Sequence, residues 1–474
     1  MQNNQPNLIY VFADQLRYQS LGYAGDKNAQ TPNIDAFAAE SADFYNAVSG
    51  HPVCAPYRAS LFTGLYTPST GMVINEIRLA TNHRCFAHVL KESGYDTSYI
   101  GKWHLHGNYP GRHYDAEMSF IPKGPDRLGF DDYFAAYNFH HSFYGAAAYY
   151  HLDTADKIYC EGYEPDAQTD MAIQRLKAHT ESGKPFALFL SVGTPHDPWE
   201  PGNVPGECLE RFKNTTFNLP ENYKPDNDPY ADRWAKLDHN QREELPEWMR
   251  IYYAMTANLD DNFGRLMQAV ETLGLADNTI VVFTSDHGEM FGAHGRRAKN
   301  IFYEEAVRIP FLMRQPHVLP AGGNSACINI PDVMPTLLGL MGLPIPSAVE
   351  GHDLSGCAKG EPDAFKPSGT LMMGTGATAI YQDGHEWRGW RNERYTYAEY
   401  LVDGTTLLFD NQNDPMQMKN LAGLSEYKAI QDKLKANMYA EMERINDGFH
   451  PCSYYQENCI EDRIIKPRPT PARF

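Results

Sequence analysis

Basic residues are in short supply in this 474-residue chain. Its 41 Lys and Arg stand against 60 Asp and Glu, a formal net charge of −19. That balance argues against nonspecific binding to nucleic acid and against docking on anionic lipid. It also gives an anionic small molecule no help from the overall field, so any attraction must come from a local cluster of cations. Long apolar runs are missing, which leaves no candidate membrane span. The opening residues, Met1-Gln2-Asn3-Asn4-Gln5-Pro6, lack the basic and apolar regions of a secretion signal. The chain therefore reads as cytoplasmic, or as periplasmic or secreted if a signal has been trimmed. The eight cysteines, at 54, 85, 160, 208, 327, 357, 452 and 459, contain no C-x-x-C pair, which argues against a zinc ribbon. Cys452 and Cys459 are spaced to allow a small terminal disulfide loop. No internal repeat is present.

What is present is a set of short apolar runs, in a chain that is 42% hydrophobic and 21% charged, ordinary for a globular protein. Asn7 to Ala13, Tyr95 to Gly101, Pro185 to Val192 and Thr279 to Ser285 each read as a buried parallel strand. Each is followed closely by titratable or polar groups: Asp14-Gln15, Lys102-Trp103-His104, His196-Asp197, and Asp286-His287-Gly288-Glu289. A buried strand cannot carry such groups inside, but its carboxyl end can, and open α/β sheets bind ligands there. A lone Asp or His at a strand end is as often a helix cap or a loop residue. Four coincidences point to one site.

The stretch Cys54-Ala55-Pro56-Tyr57-Arg58, continuing to Gly64, adds a fifth element. On a helix beginning near Pro56, residues 54 and 58 share a face. Pro fits a first helical turn. A sulfur there feels the positive end of the helix dipole, and Arg58 offers planar donors suited to a tetrahedral oxyanion.

Other segments set the frame. Thr31-Pro32 opens a helix with Ile34, Phe37 and Ala38 inward; Thr81 to Ser93 reads as a second, ended by Gly94. Gln168 to His179 and Glu247 to Leu273 read as helices, the latter with a core stripe of Leu259, Phe263, Leu266, Met267 and Val270. Residues 200 to 246 read as a surface excursion and 345 to 368 as a linker. Tyr395 to Phe409 reads as a hairpin about Asp403-Gly404, followed by a helix near 425 to 446. Length and pattern predict two domains, residues 1–345 and 346–474.

The run C-x-P-x-R followed by Leu61-Phe62-Thr63-Gly64 resembles the signature of the formylglycine-dependent sulfatases, within the alkaline phosphatase superfamily. Gly101-Lys102-Trp103-His104 is similar to that family residue for residue. The resemblance implies an α/β fold: a large, mixed, mostly parallel sheet sandwiched by helices, with a smaller C-terminal α+β subdomain containing an antiparallel sheet. It implies that Cys54 is oxidised to formylglycine by a formylglycine-generating or anaerobic sulfatase-maturating enzyme. It implies that Lys102 binds the sulfate, His104 acts on the formylglycine hydroxyl, and His196 with Lys299 serves the leaving oxygen. A divalent cation would be held by Asp14, Gln15, residue 54, Asp286 and His287. The family commonly has Asp-Asp where this chain has Asp14-Gln15, one charge fewer. Oxygen-rich ligation favours calcium, with manganese or magnesium open.

The function this implies is hydrolysis of a sulfate ester, with a sulfated carbohydrate as substrate. The aromatic and His-rich stretch from 105 to about 165 fits a sugar subsite, through His140, His141, Tyr144 and the Tyr149-Tyr150-His151 group. Trp199, His141, His294 and Arg297 are the candidate substrate-binding residues. The alternatives are a phosphonate monoester or phosphodiester hydrolase of the same superfamily, and a non-catalytic carbohydrate-binding protein.

Overall fold

The computed structural model describes residues 5–109, 111–145, 149–150 and 152–466. Eight strands form one sheet. In spatial order they are Gly322–Asn324, Ala42–Phe44, Phe311–Arg314, Thr279–Ser285, Asn7–Ala13, Phe186–Val192, Asp96–Lys102 and Tyr133–Tyr137. Phe311–Arg314 runs antiparallel to both neighbours, and the other pairings are parallel. The sheet is therefore mixed but mostly parallel.

Every residue of the Asn7–Ala13 strand is buried. Its alternation explains why the run from Leu8 to Ala13 is apolar. Leu8, Tyr10 and Phe12 enter one hydrophobic layer; Ile9, Val11 and Ala13 enter the layer on the other face. The first layer is covered by helices Cys54–Thr63, Phe86–Glu92 and Ile330–Leu340. The second is covered by Pro32–Ala39, Glu164–Ser182 and His239–Thr272.

A second, four-stranded antiparallel sheet is ordered Thr370–Gly374, Trp387–Arg391, Tyr395–Tyr400, Thr406–Asp410. One face, through Leu371, Met373, Trp390, Tyr397 and Leu408, packs on Leu434, Met438 and Met442 of the Lys428–Arg444 helix. The other face, through Met372, Trp387 and Tyr400, packs on Met290, Ile301, Phe302 and Tyr303. The architecture is the α/β arrangement implied by the sequence, with its antiparallel C-terminal sheet. No helix among the described residues is long and apolar enough to cross a membrane.

Several expected boundaries shift. The longest helix begins at His239 rather than Glu247, with Pro246 inside it. A reciprocal capping box between Asp238 and Gln241 starts it, and burial of Leu245 and Met249 against Phe212 and Phe217 carries it past the proline. The helix expected from Thr81 starts at Phe86, where His88 caps back onto Cys85. The stretch 200 to 246 is not only surface, because Val204, Cys208, Phe212, Phe217 and Leu237 form a core of their own. The expected linker is also packed: Leu354 and Ala358 are buried in the main core, and Glu350 accepts from the Tyr66 amide at 2.9 Å. Cys452 and Cys459 are not bridged. They end one helix, about 10 Å apart along its axis, beyond disulfide reach. His151 and the tail beyond residue 466 lie outside the described residues.

Candidate active site

The four polar strand ends converge on one edge of the large sheet. Asp14 leaves the Asn7–Ala13 strand, and its amide is fixed to Val192 O at 3.0 Å. Asp286 leaves the neighbouring Thr279–Ser285 strand, and its amide is fixed to Ala13 O at 3.1 Å. Glycines allow the two tight approaches beside them. A Cβ on Gly288 would lie 2.0 Å from Glu305 O, and one on Gly101, whose φ is +102°, would lie 2.0 Å from Ser191 O. Neither His287 nor Lys102 could take its place with a larger neighbour there.

Cys54 is the first residue of the fully buried helix Cys54–Thr63. The orphan amide of Ala55 in its first turn is satisfied by Asn75 Oδ1 at 3.0 Å. The sulfur sits 3.2 Å from His287 Nε2, 3.4 Å from Lys299 Nζ and 3.6 Å from Asp14 Oδ1. Burial, reinforced by Asp14, pushes the thiol up to about 11 despite Lys102 and Lys299. The helix terminus therefore does not make an acidic thiol here. As an unmodified side chain Cys54 is a protonated, weak nucleophile.

Arg58 lies one turn deeper and does not face the cavity. It is wholly buried, and its fork is spent inside the protein, on Ser191 Oγ at 2.7 Å, Tyr99 OH at 3.3 Å, Lys102 O, and Asp14 Oδ2 at 3.2 Å. Four residues along a helix keep the azimuth but change the depth, which the spacing alone did not reveal. Lys102 Nζ donates to the same Asp14 oxygen at 2.6 Å. Burial alone would raise Asp14, but Lys102, Arg58 and Lys299 hold it well below the usual carboxylate range.

Asp286 behaves in the opposite way. Burial and the neighbouring Asp14 carboxylate raise it to about 7. Its Oδ1 accepts from the Gln15 amide at 2.9 Å, while its buried Oδ2 takes no hydrogen bond. His287 Nδ1 lies 3.0 Å from Gly288 O, which assigns the proton to Nδ1 and leaves the Nε2 lone pair toward Cys54. The donor atoms of Asp14, Cys54, Asp286 and His287 lie within 4.8 Å of one another. Two carboxylates, one with an orphaned buried oxygen, and an imidazole lone pair fit a divalent cation. Gln15 lies beside this cluster, but its Oε1 accepts from Lys299 at 2.6 Å and its Nε2 donates to Glu289 at 2.7 Å.

Beyond Cys54 opens a cavity of about 270 Å³, whose lining includes Lys299, His196, His141 and Arg297. Lys299 Nζ lies 2.8 Å from His196 Nε2, and His196 Nδ1 lies 3.1 Å from Asp197 Oδ1. Burial and Lys299 lower His196 to about 4, so it is neutral and accepts from the ammonium. His104 is buried, stacks on Phe139 at 4.4 Å, and has neither ring nitrogen hydrogen-bonded.

Two expected substrate contacts are not at the cavity. Trp199 is buried among Trp248, Tyr252 and Phe291, and its Nε1 donates to Pro195 O at 2.9 Å. His294 stacks on Tyr303 at 3.7 Å and bonds Asn222 at 3.0 Å. Both are core residues: their rings pack on aromatic neighbours and a ring nitrogen of each is hydrogen-bonded inside the protein. His140 faces Glu164 at 3.1 Å, and exposed Tyr144 packs on Tyr163; neither lines the cavity. In their place the lining includes Asn75, Glu76, His113, Phe139, Asp197, Arg233, Trp234, Thr378 and Ala379. Adjacency to His196 was a signal for Asp197. Residues 75–76 and 378–379 carry no local signal at all.

This geometry belongs with what comparison with known proteins shows. A family model described as "Sulfatase" matches residues 6–343, and one described as "N-sulphoglucosamine sulphohydrolase, C-terminal" matches 292–444. An ulvan-active sulfatase of Formosa agariphila is 37% identical over 455 residues, 95% of this chain and 84% of that one. An N-acetylglucosamine-6-O-sulfatase of Bacteroides thetaiotaomicron is 26% identical, covering 91% of this chain and 85% of that one. The solved structure of yidJ from Bacteroides fragilis superposes with a TM-score of 0.81 at 30% identity, over 96% of this chain and 98% of that one. The chain belongs to the sulfatase family. It is a sulfuric ester hydrolase of the alkaline phosphatase superfamily.

Proposed function

We propose that this sulfatase removes sulfate from a carbohydrate, with Cys54 matured to formylglycine and one divalent cation, calcium, at the strand ends. The observation that carries the reading is the partly enclosed cavity that ends on Lys299 and His196, with Lys299 Nζ only 3.4 Å from Cys54 Sγ. The relatives named for ulvan and for N-acetylglucosamine sulfate support a sugar in that cavity.

Asp14, Asp286, His287 and residue 54 would hold the cation, with Gln15 beside them. It would supply positive charge against the sulfate oxygens and the attacking oxygen. Formylglycine would supply a hydrated aldehyde, in which one hydroxyl attacks sulfur and the other lets sulfate depart. The raised thiol of Cys54 supports this, because the unmodified side chain is poorly activated. Lys102 and Lys299 add charge against the sulfate, and Arg58 holds Asp14 in place. His104, with unpaired ring nitrogens, is free to take the proton of the departing step. Lys299 and His196 hold the proton that a sugar alkoxide needs.

We take residues 1–345 as the catalytic domain and 346–474 as a subdomain that lends Thr378 and Ala379 to the cavity wall. A formylglycine-generating or anaerobic maturating enzyme is the partner this requires. The test is side-by-side turnover of sulfated mono- and oligosaccharides, nitrophenyl sulfate and nitrophenyl phosphonate by protein co-expressed with such an enzyme. Turnover of a sulfated sugar is expected. Faster turnover of the phosphonate would favour the phosphorus hydrolase instead.

A further inference from the structure

Glu76 is a buried carboxylate that the chemistry above does not use. It lines the cavity and is only 5% exposed. Its Oε1 lies 3.1 Å from His113 Nε2 and 4.0 Å from His104 Nε2, but its Oε2 is buried without any hydrogen-bond partner. A buried carboxylate oxygen left unpaired is costly, and native proteins rarely keep one without a use.

The backbone shows that the placement is enforced. Glu76 has a φ of +66°, a left-handed conformation unfavourable for a residue with a Cβ. It is clamped there from several sides. Arg463 Nε donates to its carbonyl at 2.7 Å, and the Asn108 amide donates to it at 3.3 Å. The preceding Asn75 donates its amide to Thr378 O at 2.9 Å and accepts from Ala55, next to Cys54, at 3.0 Å. The turn that aims Glu76 into the cavity is thus tied to the helix terminus that carries the nucleophile.

The other acidic residue of the wall, Asp197, is engaged by His196 and lies 3.7 Å from Arg297. Glu76 has a comparable histidine contact in His113, but among the described residues no arginine or lysine pairs with its carboxylate. A carboxylate repels the sulfate, so it must read another part of the substrate, one that donates a hydrogen bond. In a sugar that group is a hydroxyl. We propose that Glu76 accepts a hydrogen bond from the ring hydroxyl next to the sulfated carbon, with His113 fixing its orientation, so that the enzyme selects sugars with that vicinal hydroxyl free. The proposal rests on the sugar-sulfate reading above.

The experiment uses matured, metal-loaded enzyme and Glu76→Gln. The substrates are methyl glycoside monosulfates of glucose, galactose and N-acetylglucosamine, their deoxy analogues lacking the hydroxyl beside the sulfate, and nitrophenyl sulfate. On the best sugar, Glu76→Gln should lower kcat/KM about 10- to 100-fold, the range of a hydrogen bond to a charged group. Nitrophenyl sulfate, which has no hydroxyl, should change less than about threefold. Wild type should lose a similar factor on the deoxy analogue, and in Glu76→Gln the parent and deoxy sugars should become equivalent, as a double-mutant cycle requires. Equal losses on sugar and nitrophenyl sulfate would overturn the proposal and make Glu76 a support for His104. A wild-type enzyme indifferent to the deoxy change would overturn it too, whether or not the variant folds. If wild type hydrolyses nitrophenyl sulfate but none of the sugars, the underlying sugar reading fails, and this inference with it.

Discussion

Lys299 and His196 meet end to end, Nζ to Nε2, at 2.8 Å. With His196 lowered to about 4 by burial and by that ammonium, the shared proton belongs to Lys299 at neutral pH, and His196 is its acceptor. His196 is in turn held through Nδ1 by Asp197, 3.1 Å away. The pair therefore acts as a unit beside Cys54, which Lys299 touches at 3.4 Å.

A sugar alkoxide leaves poorly without a proton, whereas nitrophenolate needs none. His196→Ala should lower hydrolysis of a sulfated sugar by about 10²–10⁴-fold, the usual worth of general-acid help, and lower nitrophenyl sulfate hydrolysis far less, whereas Lys299→Ala, which also removes charge facing the sulfate, should impair both. His104→Ala should damage both substrates alike, since release of sulfate from the enzyme is common to them. Parallel steady-state kinetics on the two esters read the difference; equal losses in the His196 variant would make it a sulfate-binding residue.

Maturation is visible by mass. The tryptic peptide containing Cys54 should be about 18 Da lighter when the thiol becomes an aldehyde, unlike the mass gains of ordinary cysteine oxidation. Protein made without a maturating enzyme should keep the thiol and show little activity. Full activity from quantitatively unmodified protein would refute the formylglycine reading, and Cys54→Ala should fold but show no turnover.

Chelation should abolish activity, and calcium should restore it. A cation removes the reason for the raised Asp286, which Asp14 and burial hold near 7, so binding should release protons around neutral pH. Calorimetry in two buffers of different ionisation enthalpy measures that release. Calcium at about a hundred times its dissociation constant should add about 2.7 kcal/mol of stability. An enzyme active with zinc alone would contradict the assignment.

Acid stability should carry a signature of His294. Burial lowers it from 6.5 to about 4, and its Nε2 lies 3.0 Å from Asn222 Nδ2, the geometry of an imidazole acceptor. Below pH 6.5 the unfolded chain takes up a proton that the folded chain refuses until about 4, so this contribution is present above 6.5 and is lost as pH falls toward 4. His294→Phe keeps a ring against Tyr303 but removes the titration. Its melting temperature should fall less steeply than wild type between those limits; an identical slope would show that His294 is not neutral in the fold.

The sequence by itself determined the parallel strands and what stands at their ends. Asn7 to Ala13 and Thr279 to Ser285 were legible because a strand buried on both faces is largely apolar, and Asp14, Lys102, His196 and Asp286 were legible because titratable groups return where the apolar runs end. The Cys54–Arg58 run was legible as a motif. Tertiary structure decided the rest. That Arg58 would turn inward to Asp14, that Trp199 and His294 would be packed against Phe291 and Tyr303, and that Gln15 would bond Lys299 depend on which side chains the packed fold brings beside them, whatever their distance along the chain. Glu76 is the sharpest case. Nothing in its neighbourhood marks it, because its conformation is imposed by Arg463, distant in the chain, and by the bond that ties the preceding Asn75 to Ala55. Local periodicity reports whether a residue is buried; only the packed chain reports which partners it is left without.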